Sequence, residues 1–194
     1  MINIAVLISG RGSNLLSIIK SFKEQVKVVI SSSPKAFGLR YAKEYKIPFK
    51  VIESEGQIIN EIKYYNIGLI CMAGFMKKLT KGFTKKYKVL NIHPSLLPRY
   101  KGLNVHKQVL DNKEEFTGCT VHYATGELDS GEIIMQKEVK IDKGETKESL
   151  ERKVLNEEHK LYPKAIRKVL DTIQPRYDYT TKEIIEAMDR INAR

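Results

Sequence analysis

Tryptophan is absent from this 194-residue sequence, cysteine occurs only twice, and no apolar run approaches the roughly 18 residues that a membrane-spanning helix needs. The two cysteines, Cys71 and Cys119, are too few for a disulfide framework and lack the spacing of metal ligands. The short apolar start of the chain lacks the basic flank and cleavage site of a signal peptide. These absences favour a cytoplasmic protein whose cysteines are reduced packing residues.

Acidic residues are scarce relative to basic ones, since 23 Asp and Glu stand against 34 Lys and Arg, a formal net charge of +11. Such an excess suits an anionic partner, which could be a nucleic acid, a phosphate compound or a polycarboxylate. Few aromatic residues are interleaved with the lysines, so a solvated basic surface is the simpler interpretation. A nucleic-acid-binding domain is the less favoured alternative.

Apolar β-branched runs alternate with helical patterns along most of the chain. The predicted strands cover residues 2–9, 26–32, 48–52, 67–73, 88–92, 116–124 and 132–141. The predicted helices cover residues 15–22, 36–44, 57–65, 106–111 and 146–170. This order predicts an α/β fold, a single-domain Rossmann-like and mostly parallel sheet flanked by helices, with antiparallel strands and a long helix in the C-terminal part.

The length of the chain fits one domain over residues 1–194. Its core is expected to end at about residue 170, and an appendage with one more amphipathic stretch at 182–191 is expected over 171–194.

A glycine turn, Gly10-Arg11-Gly12-Ser13-Asn14, joins the first predicted strand to the first predicted helix. The N–H groups that open a helix favour an anion, so the turn suits a phosphate, although a plain turn capped by Ser13 or Asn14 would read the same way. The turn lacks the third glycine of a dinucleotide fingerprint and the Lys-Ser/Thr pair of a P-loop. Binding of NAD or ATP is therefore poorly supported.

Asn91 and His93 end a predicted strand of the parallel sheet, at the edge where ligands usually bind. Residues two apart in a strand point to the same side, so the amide and the imidazole would converge. An amide can stabilise an oxyanion and a histidine can move a proton near neutral pH. The alternative is a structural histidine beside Pro94.

Two further stretches could contribute side chains to a catalytic or ligand-binding site. Asp129 lies in a glycine-flanked loop and could orient or charge the histidine, although an Asp before Ser-Gly is more often a turn residue. The stretch from Met72 to Met76 surrounds a glycine with soft and aromatic side chains, which could line a slot for a flat ring system or simply pack in the core.

Taken together, six segments of the chain closely resemble the phosphoribosylglycinamide formyltransferase family, and the match runs from Ile4 to about Pro163. The segments follow one another in the order that is usual for that family. They are Leu7 to Leu15, Ala73 to Met76, Leu90 to Pro98, Gly118 to His122, Leu128 to Gly131 and Glu158 to Pro163.

The resemblance implies transfer of the formyl group of 10-formyltetrahydrofolate, as cosubstrate, to the amine of glycinamide ribonucleotide in de novo purine biosynthesis, without a metal. It implies the catalytic residues Asn91, His93 and Asp129. The substrate-binding residues that it implies are Gly12, Ser13, Asn14 and Glu158. The folate-binding residues that it implies are Phe75, Met76, Lys77, Leu79, Asn91, Thr125, Gly126 and Glu127.

Two related families share the Asn, His and Asp trio, namely methionyl-tRNA formyltransferase and formyltetrahydrofolate deformylase. Each normally carries a further domain, for which this sequence is expected to have no room. Deformylase activity, in which water replaces the amine, is kept as the enzymatic alternative. The resemblance further implies a homodimer and no nucleic-acid or membrane partner.

Overall fold

A seven-stranded sheet organises residues 1–173, the part of the chain that this computed structural model describes. Its strands are β1 (Asn3–Ile8), β2 (Val26–Ser31), β3 (Phe49–Val51), β4 (Ile67–Met72), β5 (Val89–His93), β6 (Phe116–Tyr123) and β7 (Ile133–Lys140). Its helices are α1 (Ser13–Phe22), α2 (Leu39–Glu44), α3 (Glu55–Tyr64), α4 (Lys81–Lys86), α5 (Val105–Asp111) and α6 (Lys147–Ile173).

The strand order is β3-β2-β1-β4-β5-β6-β7. Neighbouring strands from β3 to β5 are parallel, whereas β6 is antiparallel to both β5 and β7. The predicted α/β fold with a mostly parallel sheet is confirmed. The order reverses direction between β1 and β4, and ligands of such sheets bind at this point, outside the carboxyl ends of the strands. The glycine turn after β1 and the trio residues of β5 lie at that edge.

Both faces of the central strands are buried, which explains why β1 is an unbroken apolar run from Ile4 to Ile8. Ile4 and Val6 belong to the core that includes α1 and α6, whereas Ala5 and Leu7 belong to the core on the other face, with α3 and α4. Alternate residues of a strand point to opposite faces, so one short strand contributes to both cores. The centre of the sheet is therefore a rigid support for the turns at its edge.

Helix α6 continues through Pro163 and crosses the face that α1 also covers. Its fully buried Tyr162 hydroxyl lies 2.9 Å from the carbonyl oxygen of Met72 and 3.1 Å from that of Leu90. These carbonyls end β4 and precede Asn91 on β5. The contact thus fixes α6 against the two strands that lead into the candidate site.

Two helices of the structure differ from the sequence-based predictions. Helix α4 was not predicted, because Phe83 is its only buried side chain and no apolar period marks it. Helix α2 begins at Leu39 rather than at residue 36. The amide of its N-cap residue, Gly38, donates to the Gly10 carbonyl oxygen. The predicted stretch at 182–191 lies outside the described residues.

Candidate active site

Antiparallel pairing of β5 with β6 brings together side chains that are far apart in the sequence. Asn91 lies directly opposite His122, and His93 lies directly opposite Thr120. Directly opposed residues of an antiparallel pair share a face, so the Asn91 amide nitrogen lies 3.2 Å from Nε2 of His122. The polar face of β5 is therefore continued by a second histidine.

Asp129 closes this cluster from the loop that joins β6 to β7. Its backbone has the left-handed φ of 45°, which Asp tolerates better than most residues, and its side chain is buried. One carboxylate oxygen accepts from the Gly102 amide at 2.9 Å and lies 3.3 Å from Nδ1 of His93. The other accepts from the Asn91 amide at 3.4 Å. The structure thus brings both Asn91 and His93 into contact with Asp129.

His93 has a hydrogen-bond acceptor beside each ring nitrogen. Nε2 lies 2.8 Å from the Tyr100 carbonyl oxygen, and Nδ1 faces Asp129. Burial lowers the pKa of His93 below 6.5, while the Tyr100 carbonyl and Asp129 oppose that effect. In the free protein at neutral pH the imidazole is therefore mainly neutral, and any added negative charge beside it would favour its protonation.

Burial by itself would raise the pKa of Asp129, but hydrogen bonds to its carboxylate and the nearby imidazoles lower that pKa below 3.8. The hydrogen-bonding partners are His122 and the Gly102 amide. Asp129 is consequently ionised throughout the neutral range. It can hold a positive charge on either histidine or receive a hydrogen bond during proton movement.

His122 is a site residue that sequence reasoning did not select. It is fully buried, with Nδ1 2.9 Å from the Tyr123 carbonyl oxygen and Nε2 3.6 Å from Asp129. With Nδ1 donating to the Tyr123 carbonyl, Nε2 can accept a hydrogen bond from the Asn91 amide. The signal that could have found it is the strand register, which places it opposite Asn91.

The glycine turn and α6 form a second polar group at the same sheet edge. Gly12 has a φ of 76° and lies so close to Gly38 that a Cβ would be 2.4 Å from the Gly38 Cα atom. Helix α1 follows at once, and its opening N–H groups have no cap from a side chain of the described residues. Ser13 is half-buried at this point. The turn therefore presents backbone N–H donors at this edge of the sheet.

Asn14 and Glu158 are 144 residues apart in sequence, yet the Asn14 amide donates to the Glu158 carboxylate at 2.7 Å. Both side chains are buried, and burial raises the pKa of Glu158 to about 7. The Asn14 Oδ1 atom is buried without a hydrogen-bond partner among the described residues. An acceptor without a partner beside a carboxyl group of adjustable charge suits a ligand with donor groups.

The predicted folate residues after β4 divide into two pairs. Phe75 and Leu79 are buried in the core shared with α3 and α4, so they can support a slot mainly from beneath. Met76 is 73% exposed, and the exposed Lys77 donates to the Glu53 carbonyl at 2.9 Å. The exposed pair lies beside β1, because the Met76 amide donates to the Ser9 hydroxyl.

The other predicted folate residues form the tip of the β6–β7 loop. Thr125 and Glu127 are exposed, and the Thr125 hydroxyl both donates to the Glu127 carbonyl and accepts from the Glu127 amide. Gly126, between them, packs against Lys81 at the start of α4. Asp129 belongs to the same loop, so the predicted folate contacts and the buried trio are joined by a few residues. The arrangement defines an α/β enzyme with a buried acid–base cluster at the same sheet edge as a glycine turn that opens a helix.

Comparisons with known proteins agree with this arrangement. Residues 2–166 match the family described as formyl transferase. The phosphoribosylglycinamide formyltransferase of Escherichia coli (strain K12) is 38% identical over 180 residues, covering 84% of this chain and 85% of that protein. A crystal structure of phosphoribosylglycinamide formyltransferase from Anaplasma phagocytophilum is similar with a TM-score of 0.83 and 40% identity, covering 86% and 85% of the two chains. The chain therefore belongs to the formyl transferase family, and within it to the phosphoribosylglycinamide formyltransferases.

Some relatives are much longer than this chain. The trifunctional purine biosynthetic protein adenosine-3 of Homo sapiens is 40% identical over 182 residues, and the matched part is 18% of its length. The similar Bacillus halodurans phosphoribosylglycinamide formyltransferase structure, in contrast, is covered over 99% of its chain, with 31% identity and a TM-score of 0.84. Within residues 1–173, no helix is long and apolar enough to cross a membrane.

Proposed function

We propose that this protein transfers the formyl group of 10-formyltetrahydrofolate to the amine of glycinamide ribonucleotide, in de novo purine biosynthesis in the cytoplasm. The products would be formylglycinamide ribonucleotide and tetrahydrofolate. The observation that carries the proposal is the contact of Asp129 with both Asn91 and His93 at the carboxyl edge of the sheet. Family membership supports the same reaction, because the similar Escherichia coli protein carries the name of this activity.

The glycinamide ribonucleotide would bind between the glycine turn and α6. Its phosphate would accept hydrogen bonds from the backbone at Gly12, Ser13 and Asn14, where the N-terminal end of α1 favours negative charge. Glu158 would accept hydrogen bonds from the remainder of the substrate, since its carboxyl group already reaches Asn14. This placement directs the substrate amine toward the trio at the end of β5.

The folate would lie between the segment after β4 and the tip of the β6–β7 loop. Met76 and Lys77 would contact it directly, Phe75 and Leu79 would support the slot, and Thr125, Gly126 and Glu127 would form its other side. Asn91 would reach the formyl oxygen from the floor of the site. Because Asp129 belongs to this loop, folate binding and the position of its carboxylate would be linked.

In the reaction, the neutral amine nitrogen forms a bond to the formyl carbon, and a tetrahedral intermediate with an oxyanion results. The Asn91 amide donates to this oxyanion, replacing its long 3.4 Å contact with Asp129. The bond from the carbon to N10 of the folate then breaks. One proton leaves the attacking nitrogen and reaches N10, and Asp129 assists that movement through water.

His93 would enter the reaction as a neutral imidazole, because burial lowers its pKa. The developing oxyanion beside it makes protonation more favourable, and Asp129 holds the resulting positive charge. The proton that His93 gains comes from water and returns there when the intermediate collapses, so the imidazole stabilises the oxyanion although it is neutral in the free protein.

The test is a spectrophotometric assay of folate product from 10-formyltetrahydrofolate, with and without glycinamide ribonucleotide. Turnover is expected only with the amine, and equal release without it would indicate a deformylase instead. Asn91→Ala should lower kcat by about 10² to 10³, the usual effect of losing one oxyanion donor. Asn60→Ala, an exposed change on α3, is the matched control. Near-normal turnover of folded Asn91→Ala would refute the role of Asn91.

A further inference from the structure

The segment 99–102 contacts both members of the His93–Asp129 pair. The Tyr100 carbonyl oxygen lies 2.8 Å from Nε2 of His93. The Gly102 amide donates at 2.9 Å to the Asp129 oxygen that lies 3.3 Å from Nδ1 of His93. A neutral imidazole carries one N–H, so it can donate to only one of its two acceptors, whereas the protonated ring donates to both. The position of the Tyr100 carbonyl therefore affects how readily His93 takes up a proton.

The backbone of this segment has a conformation that needs support from the rest of the fold. Tyr100 has a φ of 55° and Gly102 has a φ of 82°, and both values lie in the left-handed region. Glycine adopts that region freely, but a bulky residue such as tyrosine rarely does. A strained conformation of this kind persists only where surrounding contacts determine it. The Tyr100 carbonyl therefore depends on other contacts of this residue for its position.

Glu114, which lies between α5 and β6, supplies such contacts. The Tyr100 hydroxyl donates to its carboxylate at 2.6 Å, and Arg99 forms an ion pair with the same oxygen. The Arg99 guanidinium also lies over the Tyr100 ring, 5.3 Å from the ring centroid. The hydrogen bond from Tyr100 and the charge of Arg99 lower the pKa of Glu114, so this carboxylate is ionised at neutral pH. One carboxylate thus holds two successive residues of the segment.

We propose that Glu114 is a positioning residue for catalysis, which acts through the Tyr100 hydroxyl to hold the Tyr100 carbonyl oxygen against His93. The inference rests on the proposed function, in which His93 gains a proton beside the oxyanion. Within residues 1–173, the side-chain hydrogen bonds of Glu114 are to Arg99 and Tyr100, and none reaches the trio. Any effect of Glu114 on the reaction therefore passes through this segment.

Other contacts hold the segment on both sides of Tyr100. The buried Ser95 hydroxyl donates to the Arg99 carbonyl at 2.7 Å. On the other side, the Lys101 ammonium group donates to the Ser130 hydroxyl at 2.8 Å. The segment should therefore stay in place when Glu114 is changed, and the displacement should be confined mainly to Tyr100.

The first measurement is the kcat of the full-length protein for formyl transfer to glycinamide ribonucleotide. Glu114→Ala and Tyr100→Phe should each lower kcat by about tenfold, because a displacement of about 1 Å at a catalytic group can cost up to about 10² in rate. The KM for both substrates should change by less than about twofold. The double variant should be no slower than either single variant, since both changes break the same hydrogen bond. Glu114→Gln can still accept from the Tyr100 hydroxyl and should lose only about twofold in kcat.

Glu115→Ala is the matched control, because it removes the exposed carboxylate next to Glu114 in sequence. This control should keep the kcat of the unaltered protein. Normal kcat in Glu114→Ala or Tyr100→Phe would overturn the proposal, as would losses that multiply in the double variant. A loss in Glu114→Gln as large as that in Glu114→Ala would overturn the route through the Tyr100 hydroxyl.

The pH titration of the His93 ring, followed by NMR, is a second measurement that needs no turnover. Burial lowers the pKa of His93 and the Tyr100 carbonyl opposes that effect, so this pKa should fall further in Glu114→Ala and Tyr100→Phe. The control Glu115→Ala should leave it unchanged. Within residues 1–173, the other titratable groups near the ring are the same in every variant, namely Asp129, His122 and His106.

The two measurements separate this inference from the proposed function. An unchanged pKa of His93 in both Glu114→Ala and Tyr100→Phe would overturn the positioning role even if kcat fell. Absent formyl transfer by the unaltered protein, together with the expected titration of His93, would contradict the proposed function alone.

Discussion

Replacing Glu158 by glutamine should stabilise the protein near pH 8 and change its stability little near pH 5. Burial raises the pKa of the Glu158 carboxyl from 4.5 to about 7 in the folded protein. The folded state therefore holds a proton that the unfolded chain releases above about pH 4.5. The stabilisation linked to this proton is fully present below that pH and is lost as the pH rises through about 7.

The magnitude follows from the interval between the two pKa values. At about 1.36 kcal/mol per pH unit, the interval from 4.5 to about 7 corresponds to roughly 3 kcal/mol of stability lost above neutrality. Glutamine is neutral at every pH and can still accept from the Asn14 amide. The variant should exceed the unaltered protein by about 3 kcal/mol near pH 8 and by less than about 1 kcal/mol near pH 5.

Urea unfolding of both proteins at the two pH values measures this difference. Glu148→Gln, an exposed change on the same helix, is the control and should show no pH-dependent gain. The KM of Glu158→Gln for glycinamide ribonucleotide should also rise, since an ionised acceptor for the substrate is lost. A stability difference that is the same near pH 5 and near pH 8 would refute the reasoning from burial.

Two other variants test contacts that position the site. His122→Leu removes the ring that Asn91 and Asp129 contact, so kcat should fall by about tenfold, and normal kcat would exclude a role for this ring. Tyr162→Phe leaves the Met72 carbonyl without its buried donor, which should cost about 1 to 2 kcal/mol in urea unfolding. An unchanged urea midpoint would show that the hydroxyl does not contribute.

The succession of strands along the chain could be predicted because the central strands of the parallel sheet are buried on both faces, which makes β1 and β4 mainly apolar runs that are each followed by a glycine. The missing element, α4, has too few apolar positions to show a period. Its sequence does contain one start signal, since the Thr80 hydroxyl accepts from the Phe83 amide as an N-cap. A search for caps rather than for periodicity would have found it.

The candidate site was predictable where its residues are close in sequence. Asn91 and His93 could be paired from the strand period alone, but the partner across the sheet, His122, depends on the register of β5 with β6. A shift of one residue would have turned His122 to the other face. The contact of Asn14 with Glu158 spans 144 residues, and no local pattern encodes it. Only the resemblance to a family placed these two residues in one site.

Burial has opposite effects on the pKa values of His93 and Glu158, and both effects favour the neutral form of the group. It lowers the pKa of His93 below 6.5 and raises that of Glu158 to about 7, so near pH 7 Glu158 changes charge whereas His93 is mainly neutral. Negative charge on the reacting oxygen favours protonated His93, and donor groups of a substrate favour ionised Glu158. Substrate binding should therefore shift both protonation states, and the activity of this protein should rise most steeply with pH near about 7, where Glu158 ionises.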